Sequence, residues 1–513
     1  METKPWETSE HREISVHDPS IYSFIDDSGE ETFYVFGTHI AQAKSHDLVT
    51  WEVPNETEYE NMEDNLIFGN TAENLAETFE WSGHDDADSA GGFNLWAPDI
   101  IWNPDFKWAN GDTGAFQMYY SASSTWRRSS IATLVAPHIE GPYTYVDTII
   151  YSGFSQEDGR DGSDRNINYH GTNIAELIDQ GIVEEFNPKW TKTLGREYNT
   201  DYAPNAIDPT VFLDENEDLW LVYGSWSGGI YLLPLNPDTG TPIYPGTDGE
   251  TADGRIIDRY FGTKLSGGHH QSGEGPYIHY NADTGYYYLW VTYGGLNRDG
   301  GYNMRLFRSE NVDGSYLDFN GNDGIIDWGD VNDSFGIKLM GNYIIDGLKG
   351  IGYKAPGHNS VLVDSNNNWF NVFHVRFNTN NEMHRLRVHQ MYYTDSGWPI
   401  TLPYRYSGVL VEPIEQASNE VAGTYQWVDH GNTTTGDMIV NQKIILSEDG
   451  QITGDYSGNY ELTADGQIQL IIEDEPFDGV IVKQVDEFEQ PRIVIAAIGQ
   501  NNQTVWGIQL KNE

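Results

Sequence analysis

Three carboxylates and one imidazole recur at matching places in this sequence. Five short stretches share one pattern: a polar or small residue, two residues of turn type, then an apolar pair. They are Asp18-Pro19-Ser20-Ile21-Tyr22, Ala97-Pro98-Asp99-Ile100-Ile101, Asp208-Pro209-Thr210-Val211-Phe212, Glu274-Gly275-Pro276-Tyr277-Ile278 and His358-Asn359-Ser360-Val361-Leu362. Their first positions, Asp18, Ala97, Asp208, Glu274 and His358, are 79, 111, 66 and 84 residues apart. Taken singly, an Asp-Pro or Gly-Pro pair is an ordinary turn signal. Recurrence at equivalent places is what singles these out. If the stretches converge, three carboxylates meet in one cavity. That set suits glycoside hydrolysis, which needs a carboxylic acid to protonate the leaving oxygen and a carboxylate on the other face. Glu274 stands between Gly273 and Gly275, where the backbone can approach a ligand closely. Asp18 and Asp208 are candidates for base and helper. Two anionic neighbours raise the pKa of the third group, which keeps an acid protonated.

Other residues fit the same chemistry. Trp96 precedes Ala97, the one small residue of the five, so an indole there offers a face for a sugar ring where the axis has room. Trp126 and Trp226 are further stacking candidates. His358 can bind a metal through a ring nitrogen or stand as a hydrogen-bonded core histidine. The run Asp158-Gly159-Arg160-Asp161-Gly162-Ser163-Asp164 lacks the spacing and distal Glu of an EF-hand. It reads as a surface loop.

Positioning these groups requires a repeat architecture. Each stretch is followed by a turn rich in Asp, Asn and Gly, then an aromatic strand: Phe33-Tyr34-Val35-Phe36, Gln117-Met118-Tyr119-Tyr120, Trp220-Leu221-Val222-Tyr223, Tyr287-Tyr288-Leu289-Trp290 and Trp369-Phe370-Asn371-Val372-Phe373. Such units fit the blades of a β-propeller, whose innermost strands line one axis. Five repeats predict five blades. Residues 152–204 read as an insertion between the second and third, with a short helix over 173–180. Residues 415–421 read as a linker. Strands at 443–446, 450–456, 459–462, 467–472, 480–485, 492–498 and 504–510 follow, with Asp449-Gly450 and Asp465-Gly466 as hairpin turns. The expectation is an all-β chain: a five-bladed propeller over 1–414 and a small antiparallel β-barrel or sandwich over 415–513.

Composition excludes other classes. The 513 residues carry 79 acidic and 28 basic side chains, a net charge of −51. Such a chain repels phosphate backbones and anionic lipid, so nucleic-acid and membrane partners are not expected. It has no cysteine, hence no disulfide, thiolate metal site or Cys nucleophile. The aliphatic run 493–498 is far shorter than the roughly 18 residues of a spanning helix. Residues 1–6 have no basic and apolar leader, which leaves a cytosolic chain or a mature secreted form. With 13% aromatic residues, the acidity is not that of a disordered chain. It suits either an ordinary secreted surface or a salty, Ca²⁺-rich medium.

At this point the chain resembles glycoside hydrolase family 43, in particular its large two-domain extracellular endo-α-1,5-L-arabinanase branch. The resemblance covers nearly the whole chain. It rests on His17-Asp18-Pro19-Ser20, Trp96-Ala97-Pro98-Asp99, Asn205-Ala206-Ile207-Asp208-Pro209, Tyr223-Gly224-Ser225-Trp226-Ser227-Gly228-Gly229, His270-Gln271-Ser272-Gly273-Glu274-Gly275-Pro276-Tyr277, Gly301-Tyr302-Asn303-Met304-Arg305-Leu306-Phe307 and Pro356-Gly357-His358-Asn359-Ser360. It implies an inverting enzyme with Asp18 as general base, Glu274 as general acid and Asp208 tuning and orienting the acid. Base and acid of such enzymes lie roughly 6.5–9.5 Å apart. Trp96 would stack on the sugar at the cleavage point, and Asn205, Ser225 and Trp226 would line the groove. His358 would hold a hydrated Ca²⁺ on the axis. The implied substrate is the arabinan of pectin side chains, and the implied protein a secreted monomer. The segment Ser123–Ser129 departs from the Gly-containing loop of that branch, so no binding role passes to Trp126. Two alternatives stand beside this reading. One is an exo-acting α-L-arabinofuranosidase or β-xylosidase of the same fold, with the 152–204 insertion closing the cleft. The other is a carbohydrate-binding propeller without catalysis.

Overall fold

The structure is a computed structural model describing residues 8–55, 61–416 and 419–511. Residues 1–6 and part of the expected linker, 417–418, lie outside the described residues. The turn after each recurrent stretch folds it back onto the aromatic strand that follows. Asp26 Oδ1 accepts the backbone N–H groups of Ser28 and Glu30, and Ser20–Ile25 then pairs antiparallel with Glu31–Gly37. Asp214 and Asp364 accept from their own i+2 and i+4 N–H groups and close the matching hairpins. A short carboxylate that satisfies its own turn is why Asp leads these loops.

Four discrete antiparallel sheets arise in this way as propeller blades. The first holds Ser20–Ile25, Glu31–Gly37, Ala41–Ser45, Trp51–Pro54 and, at its edge, Thr8–His11. The second holds Trp96–Lys107, Thr113–Ser123, Ser129–Ala136 and Thr144–Ser152. The third begins with Thr210–Leu213, Leu219–Tyr223, Ile230–Pro234 and Gly262–Ser266; another holds Tyr353–Val363, Trp369–Phe377, Arg385–Tyr393 and Pro399–Arg405. The strands Glu274–Asn281, Tyr286–Tyr293, Asn303–Ser309 and Ile337–Lys338 are not a free-standing sheet. Lys338 pairs in parallel with Gln503, so they run on into the C-terminal strands.

Polar bridges near the axis hold the sheets together. Ser20 Oγ donates to Asp99 Oδ1 at 2.6 Å, and Val211 N–H donates to Asp99 Oδ2 at 2.8 Å. Thr210 Oγ1 donates to Pro276 O, Tyr277 OH to Val361 O, and Ile21 N–H to Ser360 Oγ. Burial pushes the pKa of the Asp99 carboxyl up to about 7, against hydrogen bonds from Ser20, Val211 and Ile100.

The C-terminal strands form a closed eight-stranded barrel, from Gly423–Asp429 to Gln503–Gln509, with the last strand pairing the first. The expected strand list omits Gly423–Asp429, the member that completes the closure. The run 493–498 is aliphatic on both faces because both are covered. Ile493, Ile495 and Ala497 point into the barrel core, while Val494, Ala496 and Ile498 join Met304, Leu306 and Ile337 of the neighbouring sheet.

The 152–204 insertion contains the helix Ile174–Asp179 and a hairpin of Thr191–Lys192 with Glu197–Tyr198. Its Asp-Gly run lies at the surface, tied down at one point. Asp158 and Asp164 are exposed, and the half-buried Asp161 pairs with the Arg128 guanidinium, whose side chain is only 2% exposed. Among the described residues, no helix is long and apolar enough to cross a membrane.

Candidate active site

The recurrent stretches enter their strands through a shared backbone kink. Asp18, Ala97, Asp208 and His358 are all left-handed, with φ of 51°, 44°, 56° and 48°. In the fourth repeat the left-handed residue is Gly275, at φ 56°, and Glu274 precedes it by one. Glu274 therefore sits one residue earlier than strict equivalence predicts. A left-handed non-glycine costs about 1–3 kcal/mol and persists where the surroundings fix it. Here the surroundings are the other members of the ring.

Asp18 is surrounded by three imidazoles and a hydroxyl. Thr38 Oγ1 donates to its Oδ2 at 2.6 Å, and His17 Nδ1 lies 2.8 Å from the same atom. His358 Nδ1 and His374 Nδ1 are 3.1 and 3.6 Å from Oδ1. Burial by itself would raise the pKa of this carboxyl. The His17 and then the His358 imidazole overcome that and hold it well below the ordinary value. Asp18 is thus built to stay ionised.

Glu274 is held from three sides. Trp226 Nε1 donates to Oε2 at 2.8 Å, Ser225 Oγ to Oε2 at 3.3 Å, and Tyr302 OH to Oε1 at 2.7 Å. Asp208 is 7% exposed and accepts the Gly275 N–H at 3.1 Å, tying it to the residue after Glu274. Burial first, then the charges of Glu274 and Asp18, push the Asp208 pKa well above the usual carboxylate range. The group pushed toward its neutral form is thus Asp208, the expected helper, while Asp18 stays charged, so the two aspartates differ widely in proton affinity.

The three carboxylates open on one cavity of about 1570 Å³, which Trp96, Asn205, Ser225, Trp226 and His358 also line. Pockets for small ligands run to roughly 300–1,000 Å³, so this one has room for several sugar units. Asn205 Oδ1 accepts from Ser152 Oγ at 3.2 Å. Trp226 meets Glu274 through its N–H edge. Trp126 is 46% exposed at the cavity rim, over Gly162. The sequence reading gave no role to Thr38, His17, His374 or Tyr302. His17 and Tyr302 stand inside motifs already quoted, but nothing in their spacing shows that they reach carboxylates.

Among the described residues, His17, Asp18 and His374 form a group able to grip a metal ion. His358 is not in that group. It offers one imidazole beside the acidic cluster, with its ring packed on Gly275. That donor set fits a hydrated hard cation held by one nitrogen, surrounding negative charge and water. It does not fit a closed cage of protein oxygens.

The family model for glycosyl hydrolases family 43 matches residues 183–399, and a C-terminal lipocalin-like domain of that family matches residues 403–507. The chain is 34% identical over 509 residues to an extracellular endo-α-(1→5)-L-arabinanase of Bacillus subtilis, covering 97% of this chain and 93% of that one. It is 35% identical to an extracellular endo-α-(1→5)-L-arabinanase of Thermotoga petrophila, covering 97% and 94%. The crystal structure of endo-1,5-α-L-arabinanase from Thermotoga petrophila superposes with a TM-score of 0.78 at 34% identity, covering 98% of this chain and 99% of that one.

Proposed function

The chain belongs to glycoside hydrolase family 43, and from that membership we propose that it cleaves α-1,5-linked L-arabinan internally, with inversion at the anomeric carbon. The observation that carries this reading is the meeting of Asp18, Asp208 and Glu274 on one large cavity, with opposite electrostatic treatment of Asp18 and Asp208. The named activity of the two full-length relatives supports the substrate.

Asp18, held ionised, takes the proton from the attacking water. Glu274 gives its proton to the leaving oxygen. Asp208, bonded to the Gly275 N–H, orients that acid and tunes its proton affinity. Trp96 offers the stacking face, and Asn205, Ser225 and Trp226 line the groove. The sheet that begins at Glu274 serves as the fifth blade, sharing its outer edge with the barrel. The catalytic domain is 1–414 and the accessory barrel 415–513. His358 would hold Ca²⁺, which when bound would supply positive charge near the carboxylates and fix water. The protein works outside the cell, as a monomer, on arabinan side chains of pectin.

The test is incubation with linear α-1,5-arabinan, with product size followed over time, with and without a chelator. Mixed oligosaccharides early in the course are expected, in smaller yield after chelation. Arabinose as the sole early product would replace internal cleavage by exo action. Full activity after removal of bound cation would overturn the Ca²⁺ assignment alone.

A further inference from the structure

We infer that His374 is a positioning residue that sets the separation of Asp18 and Glu274 by ring stacking. The inference rests on the reading of those two groups as base and acid. His374 is fully buried, on the strand Trp369–Phe377. Its imidazole stacks on His17 with ring centroids 3.9 Å apart and planes 22° apart. It also stacks on Tyr302, at 5.6 Å and 23°. His17 holds the base, with Nδ1 2.8 Å from Asp18 Oδ2. Tyr302 holds the acid, donating to Glu274 Oε1 over 2.7 Å. Among the described residues, no ring contact joins His17 to Tyr302 directly. His374 is therefore the link between the group that fixes the base and the group that fixes the acid.

A second contact ties the same ring to the base. Asp18 donates its backbone N–H to His374 Nδ1 at 3.3 Å, bracing a residue in the left-handed region. With Nδ1 accepting, the ring proton lies on Nε2, and Nε2 of His374 has no partner among the described residues. A buried N–H left unpaired costs about 1–3 kcal/mol. Stacked rings tolerate little change in spacing because protein interiors are close-packed. An inverting site needs a fixed gap between its carboxyl groups, wide enough for one water. The column His17–His374–Tyr302 supplies a rigid spacer across that gap.

Two substitutions separate stacking from the N–H contact. His374→Phe keeps a ring in the column and loses the acceptor. His374→Asn keeps a polar group toward Asp18 and loses the ring. Misplacing reacting groups by 1 Å can cost about 10²-fold. On that scale His374→Asn is expected to lose about 10²-fold in kcat with KM within about 3-fold, and to displace both limbs of its pH–rate profile. His374→Phe is expected to stay within about 10-fold of the parent, with both limbs in place. Crystal structures of parent and variants give the Asp18–Glu274 separation directly, and it should change in His374→Asn alone. The reverse order of the variants would overturn the inference, as would an unmoved separation and unmoved limbs in His374→Asn. A parent protein inactive on arabinan would overturn the functional reading instead, and the crystallographic separation would still decide the role of His374.

Discussion

Tyr302 donates its phenol hydroxyl to Glu274 Oε1 across 2.7 Å, although 28 residues separate them in sequence. Sheet register makes the contact. Glu274 pairs with Thr292, and Tyr293 pairs with Asn303, which places Tyr302 at the start of the third strand, next to the carboxyl group. Tyr302 is 1% exposed, so its ring is fixed by packing when it makes the bond.

Removing that hydroxyl alone should be costly. Glu274 becomes charged as it gives up its proton, and a hydrogen bond to a charged group contributes about 1.5–3 kcal/mol, or about 10–100-fold. Tyr302→Phe is expected to lower kcat by that factor. Glu274→Gln removes the proton itself and should cost about 10²–10⁴-fold while arabinan binding persists. Steady-state kinetics on arabinan, with binding by calorimetry, checks both. Equal losses in the two variants would mean that Tyr302 does more than hold the acid.

Asp99 gives the propeller a pH dependence of its own. Its folded pKa, about 7, exceeds the ordinary 3.8. A raised carboxyl favours the fold when neutral. Its contribution is full below pH 3.8 and is lost as pH rises toward 7. A rise from 3.8 to about 7 corresponds to about 4 kcal/mol. Asp18 is held low and loses its contribution only at more acid pH, outside this window. Asp99→Asn should therefore flatten the fall of stability between pH 4 and 7, as read by urea unfolding across that range.

The Asp-Gly run of the insertion is tied down by an ion pair to the buried Arg128. Arg128 reaches Asp161 while also donating to Trp81 O, Ser82 O and Ser163 Oγ. Removing Asp161 leaves the buried Arg128 charge without its counter-ion, which is destabilising even with its other hydrogen bonds kept. Asp161→Ala should lower Tm and admit protease between residues 158 and 164. An unchanged digestion pattern would show that the loop is held elsewhere.

The charge of −51 should respond to salt. Screening weakens self-repulsion, and the Debye length falls from about 10 Å at 0.1 M to about 3 Å at 1 M. Tm is expected to rise with NaCl across this range. A flat curve would show that the acidity belongs to an ordinary secreted surface.

The sequence by itself determined which residues can do the chemistry. Asp18, Asp208, Glu274 and His358 stand out because turn residues act locally and repeat with the structural unit. The strands after them are legible for the same reason, since an Asp that caps its own turn needs no distant partner. Even the strand Gly423–Asp429, omitted from the expected list, has the alternation of a half-buried strand; its place as the closing member depends on pairing with residues about 80 positions away.

Tertiary structure alone decided how those groups are held. The one-residue offset of Glu274, hinted at by Pro276 following Gly275, becomes definite in the backbone, where Gly275 takes the left-handed place. The fusion of that sheet with the barrel hangs on one parallel pairing, Lys338 with Gln503. His17 is the sequence neighbour of Asp18, but Thr38, His374 and Tyr302 reach the carboxylates from separate strands and loops, and Asp18 meets His374 across 356 residues. Contacts of that kind are set by strand register and by packing between sheets, neither of which leaves a local mark in the chain.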